Sequence, residues 1–218
     1  MRRYLVAFLT FIVFAAGWMA FPALAGPSAP IAPLASYSVK VIKANDLGHG
    51  SGTHIGGGYI LTAAHVVEDD RSMKIKTDNG RLRYAKVLWV NKDYDVALLR
   101  TSEQGMKSAH LSCRALSEGA LVRAEGNPLN IEFVSSSGKI SGSARDFGKP
   151  RSAYVTDMTT VMGMSGGGIF DRAGDLVGIV SAVAVAPMKV GAGYVPSLTG
   201  FGMAIPSFEV CALMARSE

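Results

Sequence analysis

From Ser36 onward the chain is divided into short apolar or alternating runs, each closed by glycine or another turn former. Ser38-Val39-Lys40-Val41-Ile42 alternates polar and apolar residues, the pattern of a strand with one buried face. Residues 73–77 alternate in the same way. Tyr59-Ile60-Leu61-Thr62 follows the turn signal Gly56-Gly57-Gly58, residues 83–90 are aromatic and β-branched, and residues 96–99 form a buried-type run. Further strand-like runs are residues 121–124, 131–134, 153–156, 168–170, 176–185 and 202–205. Only the last segment reads as a helix, with Pro206 and Ser207 as its start signal and no breaker in residues 208–215. Many short strands with regular turns indicate an all-β sandwich or barrel.

The first 25 residues are of another kind. Arg2 and Arg3 precede an apolar run without charge, which ends in Ala23-Leu24-Ala25, the small-x-small pattern of a cleavage site. Residues 1–25 therefore read as a secretory signal, giving a secreted or periplasmic protein. A run of about 20 apolar residues is also long enough to stay as a membrane anchor, the one route to a membrane partner. Residues 26–35 hold three prolines among small residues and read as a linker. The whole chain carries a formal charge of +5; without Arg2 and Arg3 the remaining 193 residues carry +3. Such a mild balance, with no basic run interleaved with aromatics, gives no support to a nucleic-acid partner. Cys113 and Cys211 show no metal spacing. In an oxidising compartment they can pair, closing a loop of about 100 residues worth about 4–5 kcal/mol in the chain-entropy model. Two separate buried thiols are the alternative.

The chemistry-bearing residues have ordinary readings one by one. Ser165, in Gly163-Met164-Ser165-Gly166-Gly167-Gly168, can be a simple glycine-flanked turn. It can also be a nucleophile on a sharp bend whose amides face an oxyanion. The same string fits the G-x-S-x-G elbow of the α/β hydrolases, but there the histidine follows the serine. All four histidines here, His49, His54, His65 and His110, precede Ser165. That order leaves His…Asp…Ser. His65, between Ala64 and Val66 at the end of an apolar run, is the candidate base. Asp95, heading the run Val96-Ala97-Leu98-Leu99, is the candidate orienting acid, because a carboxylate there needs a hydrogen-bond partner. Asp93 reads as a solvated turn residue, and His49 and His54 as surface residues of a Gly-rich turn. No H-E-x-x-H or other metal pattern occurs, so no metal or cofactor is expected.

Taken together, these residues and their flanks resemble the trypsin-like proteases, and within them the HtrA-type (Deg) branch. The resemblance covers about residues 48–207. It rests on Gly50-Ser51-Gly52 through Ala64-His65-Val66-Val67, Tyr94-Asp95-Val96-Ala97-Leu98-Leu99, Val122-Arg123-Ala124-Glu125-Gly126-Asn127-Pro128 as a strand into an Asn-Pro turn, Ser137-Gly138-Lys139-Ile140-Ser141 as a hairpin, Thr156-Asp157 ahead of Ser165, and Phe201-Gly202-Met203-Ala204-Ile205-Pro206. It implies an all-β, chymotrypsin-like domain over residues 36–218. Two six-stranded antiparallel barrels, at about 36–112 and 113–218, would be followed by a C-terminal helix. It implies a serine endopeptidase acting on proteins or peptides through an acyl-enzyme. Ser165 would be the nucleophile, His65 the base and Asp95 the orienting acid, with the N–H groups of Gly163 and Ser165 as oxyanion hole. Ser181 would pair its backbone with bound peptide. Thr159, Thr160, Val183 and Gly202 would wall the specificity pocket. Thr159 stands where an aspartate would select Lys or Arg, and Val183 narrows the pocket, so a small or medium apolar residue is expected before the cut bond.

Two positions depart from that branch. Met164 replaces the asparagine usual there and the aspartate of trypsin, so activation through an N-terminal salt bridge is not expected. Val161 replaces a polar residue. No PDZ domain is expected after the protease domain. A catalytically impaired binding protein on the same fold, and an esterase using the same triad, are the competing expectations.

Overall fold

In a computed structural model, the described residues are 37–102 and 105–215. The expected signal and linker, residues 1–35, lie outside them. The fold is two antiparallel six-stranded barrels and a short terminal helix. In the first barrel, β1 (Ser38–Lys43) pairs with β2 (His49–His54), β2 with β3 (Tyr59–Thr62), β3 with β6 (Val96–Arg100), β6 with β5 (Leu82–Asn91), β5 with β4 (Ser72–Thr77), and β4 closes back on β1. The second barrel runs in the same circular manner through β10 (Gly168–Phe170), β11 (Leu176–Val190), β12 (Gly193–Pro206), β9 (Ala153–Thr156), β8 (Val134–Arg145) and β7 (Leu121–Gly126). Closure gives every strand a neighbour on both sides along the barrel body. The short β10 pairs with β11 as far as Ile179, and Gly166 and Gly167 bond Val180 beyond it, so from Ser181 onward that side of β11 has no strand partner among the described residues. A one-turn helix α1 (Ala64–Val67) follows β3, and α2 (Ser207–Ala215) follows β12.

Period-2 alternation places the cores. Val39, Val41, Ile60, Met73, Ile75 and Leu99 fill the first barrel. Val122, Ala124, Ile140, Ile169, Val177 and Val180 fill the second. Between them Leu61, Leu98, Phe170, Ile179 and Ile205 join α2's Val210 and Leu213 in a third cluster. Full burial of a Leu, Ile or Phe contributes about 1.5–3 kcal/mol. Cys113 and Cys211 form a disulfide with Cα atoms 5.9 Å apart, tying the inter-barrel connection to α2. That decides against separate thiols.

The strands differ from the sequence expectation in four places, the first being that residues 137–141 lie inside the continuous strand β8 rather than at a hairpin. Residues 131–133 are not strand; a 3₁₀ turn (Pro128–Asn130) leads into them, and Leu129, Asn130 and Phe133 all have positive φ. The Gly-rich stretch around His49 and His54 is a strand rather than a turn. Its glycines serve close packing, since a Cβ on Gly50 would lie 2.5 Å from Val66 Cγ2 and one on Gly52 2.8 Å from Ile60 Cγ2. His54 is consequently fully buried, its Nδ1 bonded to the Lys107 carbonyl at 2.8 Å. Lastly, β11 and β12 run past the barrel as a long hairpin, where Pro187 stands directly opposite Pro196. The sequence pattern gives strand over residues 176–185 and 202–205 and leaves the arm between them unassigned. Paired prolines fit a two-stranded ribbon whose outer edges face solvent, since neither ring nitrogen is asked for a ladder bond.

Candidate active site

Ser165 sits between the two barrels on a turn held by backbone contacts. Gly163 (φ +94°) and Gly166 (φ +83°) occupy the left-handed region open mainly to glycine. A Cβ on Gly166 would lie 2.3 Å from the Ser51 carbonyl, one on Gly163 2.4 Å from the Asn127 carbonyl, and one on Gly167 2.0 Å from the Glu125 carbonyl. The Ser165 carbonyl accepts the Ser51 N–H at 2.8 Å. Met164, the residue that departs from the branch, is 1 % exposed and packs in the second barrel's core, with its Cα close against Gly126. An apolar side chain suits that position because it faces the core rather than a polar partner.

His65 rides on α1, and Asp95 precedes β6 with φ +56°. The Asp95 carboxylate accepts the His65 backbone N–H at 3.0 Å and the ring Nδ1–H at 2.9–3.0 Å. It also accepts the Ser181 hydroxyl at 2.5 Å. Since a carboxylate only accepts, Nδ1 carries the proton and Nε2 is the basic nitrogen. The hydrogen bond to Asp95 raises the His65 pKa above its ordinary value, against the lowering effect of burial; the charges of Asp95 and Glu68 add to the rise.

Ser165 and His65 line one cavity of about 340 Å³ together with Thr160, Val161, Met162, Ser181, Ala182 and Val183. Among the described residues they are not hydrogen-bonded to each other. The Ser165 hydroxyl instead donates to the Ser181 carbonyl at 3.2 Å. Thr159 lies in an adjoining cavity of about 260 Å³, which Thr160 and Val183 also line and which Leu198 and Phe201 border. Gly202 stands behind Thr160, where a Cβ would approach the threonine Oγ1 to 2.7 Å. Its bareness gives Thr160 room.

The N–H groups of Gly163 and Ser165 have no acceptor among the described residues. In a trans peptide the N–H points opposite to the preceding carbonyl. The Met162 carbonyl accepts the Leu129 N–H at 3.0 Å, and the Met164 carbonyl accepts the Gly167 N–H at 2.9 Å. Both peptide planes are thereby pinned from behind.

Three contributors carry no signal of their own in the sequence. The Ser181 hydroxyl holds Asp95. Ser51 is fully buried and engages its side chain and carbonyl alike: its Oγ donates to the Gly163 carbonyl and accepts the Asn127 N–H, and its carbonyl accepts the Thr62 hydroxyl. Asn127 carries a side-chain amide bonded to Ser51 Oγ and to the Val39 carbonyl. Ser51 and Asn127 lie inside the resembling blocks, but the bonds of the Ser51 Oγ and of the Asn127 side-chain amide span 76–112 residues, beyond any local pattern.

A family model described as a trypsin-like peptidase domain matches residues 50–179. A probable periplasmic serine endoprotease, DegP-like, from Halomonas elongata is 33% identical over 131 residues, covering 58% of this chain and 27% of that protein. A Staphylococcus aureus protein described as serine protease HtrA-like is 31% identical over 175 residues, covering 73% of this chain and 22% of its own length. The chain thus spans about a quarter of the length of these relatives. Among solved structures, the serine endoprotease from Yersinia pestis superposes with a TM-score of 0.69 at 26% identity, covering 84% of this chain and 63% of that one. The HtrA-type protease AlgW with tripeptide gives 0.70 at 25%, covering 85% and 60%. The chain belongs to the trypsin-like peptidase family and carries a protease domain of the HtrA type.

Proposed function

We propose that the chain is an exported serine endopeptidase working through His65, Asp95 and Ser165. The observation that carries this reading is the single cavity shared by Ser165 and a His65 whose tautomer is fixed by Asp95. Nε2 takes the Ser165 proton as Oγ attacks the scissile carbonyl. The N–H groups of Gly163 and Ser165 meet the oxyanion. His65 then gives its proton to the leaving amine, and water releases the acyl group by the same route. The raised His65 pKa favours the imidazolium formed midway. An extended peptide pairs with β11 at Ser181, beyond the reach of β10, and its N–H competes with Ser165 for the Ser181 carbonyl. That competition frees the hydroxyl to turn towards His65. The apolar walls given by Val161, Ala182 and Val183 suit a small or medium apolar residue before the cut bond. Export rests on residues 1–25 and accords with the periplasmic relative's name.

A fluorophosphonate probe is expected to label the wild-type protein and not Ser165→Ala. A peptide library is expected to be cut after Ala, Val or Leu; a dominant Arg or Lys preference would sink the pocket assignment. The Ser165–Ser181 hydrogen bond favours a second reading, an impaired protease-like binding protein. Well-folded wild type that neither labels nor cleaves casein would establish it.

A further inference from the structure

The segment 127–133, which joins β7 to β8, is held in a conformation its sequence does not prefer. Leu129 (φ +49°), Asn130 (φ +66°) and Phe133 (φ +55°) all lie in the left-handed region. A Cβ disfavours that region, least for asparagine, and three such residues close together persist only where the surroundings impose them. Apolar packing does not supply the constraint at the tip, since Leu129 is 64 % exposed.

Polar contacts to the first barrel do. Lys40 on β1 donates to Asn130 Oδ1 and to Glu132 Oε1, both at 3.0 Å, and Lys76 on β4 donates to Glu132 Oε2 at 2.7 Å. Lys40 and Lys76 are directly opposite each other in the β1–β4 register. Like charges so placed repel, and the strand pair tolerates them best with a carboxylate between them. Glu132 is that carboxylate; the two ammonium groups hold its carboxyl below the usual range, so it is charged at neutral pH. The Lys40 side chain is only 11 % exposed, which makes its pairing less screened than a surface bridge.

Besides the Asn127–Ser51–Gly163 bonds, the held segment reaches the active site at the peptide plane of the Gly163 N–H. Leu129 donates its N–H to the Met162 carbonyl, which fixes the peptide plane bearing the Gly163 N–H. Gly163 itself resists a flip of that plane weakly, because glycine accepts both signs of φ. We propose that Lys40, Lys76 and Glu132 are positioning residues for the Gly163 oxyanion donor, acting through the Leu129 N–H. The proposal rests on the peptidase reading above.

The test uses the full chain and a chromogenic peptide with an apolar residue before the cut bond, alongside a peptide aldehyde of the same sequence. The aldehyde forms a tetrahedral adduct on Ser165 and so senses the oxyanion donors. Glu132→Gln and Lys40→Met are expected to lower kcat by about 10-fold with KM within about 2-fold, short of the loss of about 10²–10³-fold typical when a donor is removed outright. Aldehyde affinity should fall by a similar factor, and Lys76→Arg, which keeps the ion pair, should stay near wild type. Unchanged kcat and aldehyde affinity in both folded variants would overturn the clamp, as would a rise in KM alone. Wild type that takes no fluorophosphonate would instead overturn the peptidase reading, and the proposal with it.

Discussion

The Ser165 turn and the outer half of the β11–β12 hairpin are built from similar residues, glycines and small or apolar side chains, and behave oppositely. At the turn, glycines are pressed on by backbone from both barrels, and Met164 is buried. In the hairpin arm, a Cβ on Gly191 or Gly200 would meet nothing within 4 Å, and Val185, Met188, Tyr194 and Leu198 are half exposed or more. Both regions hang on β11, which passes Ser181 on its way from one to the other. Residue type therefore does not distinguish an over-determined site from a free one; the number of independent chain segments converging on it does.

The largest expected effect lies at the carboxylate that holds the His65 ring beside the turn. Asp95→Asn should lower kcat by about 10⁴-fold, since the wrong His65 tautomer is then favoured. Catalysis needs neutral His65, and Asp95 raises its pKa. In wild type kcat/KM should rise with pH through a midpoint above the ordinary histidine value of about 6.5, and in Asp95→Asn that midpoint should move down. A pH–rate profile with the same midpoint in both would break the assignment of Asp95.

A matched pair of substitutions sharpens the comparison directly. Gly166 and Gly200 share φ +83°, so an alanine meets the same backbone penalty at each, about 1–2 kcal/mol. Only at Gly166 would the Cβ also meet the Ser51 carbonyl at 2.3 Å. Overpacking of that kind adds about 1–3 kcal/mol or more. Gly166→Ala is expected to unfold at much lower urea and lose activity, whereas Gly200→Ala should keep activity with a modest shift. Equal midpoints for the two in urea denaturation would remove the distinction.

A smaller effect concerns Glu125, whose carbonyl lies against Gly167. Its carboxyl is 3.4 Å from Arg123 Nη2 and buried, and burial pushes its pKa up to about 7, with Arg123 opposing. Its folded pKa exceeds the unfolded one, so the folded state binds the proton more tightly. As far as this group is concerned, stability is therefore greatest below the unfolded value of 4.5 and falls as pH rises through about 7. Relative to Glu125→Gln, wild type should lose up to about 3 kcal/mol between about pH 4.5 and 8. Parallel stability–pH curves for the two proteins would show that the carboxyl is not the source.

The fold and the membership of the site are legible in the sequence to different depths. Alternation in Ser38-Val39-Lys40-Val41-Ile42 maps onto β1 because period-2 burial is a local property. Chain order and flanking blocks single out His65, Asp95 and Ser165 as candidates; His65 and Ser165 line one cavity, and Asp95 bonds the His65 ring. His54 reads as a surface residue because glycine next to histidine signals a turn, while here the missing Cβ atoms of its strand admit Val66 and Ile60. Residues 131–133 carry Ile and Phe and look like strand, yet Phe133 gives its N–H to Asn127 Oδ1 and the segment follows that side chain instead. Ser51's bond to Gly163 spans 112 positions and exists only once the barrels have met.

The Cys113–Cys211 bond has a topological consequence. Every strand of the second barrel, with Ser165 and the exposed hairpin arm, lies between those two cysteines. The barrel is a covalently closed ring. A single proteolytic nick in the arm would open the ring without releasing a fragment, so a nicked molecule would run as one species until reduced. The disulfide thereby keeps the two cut pieces on one molecule.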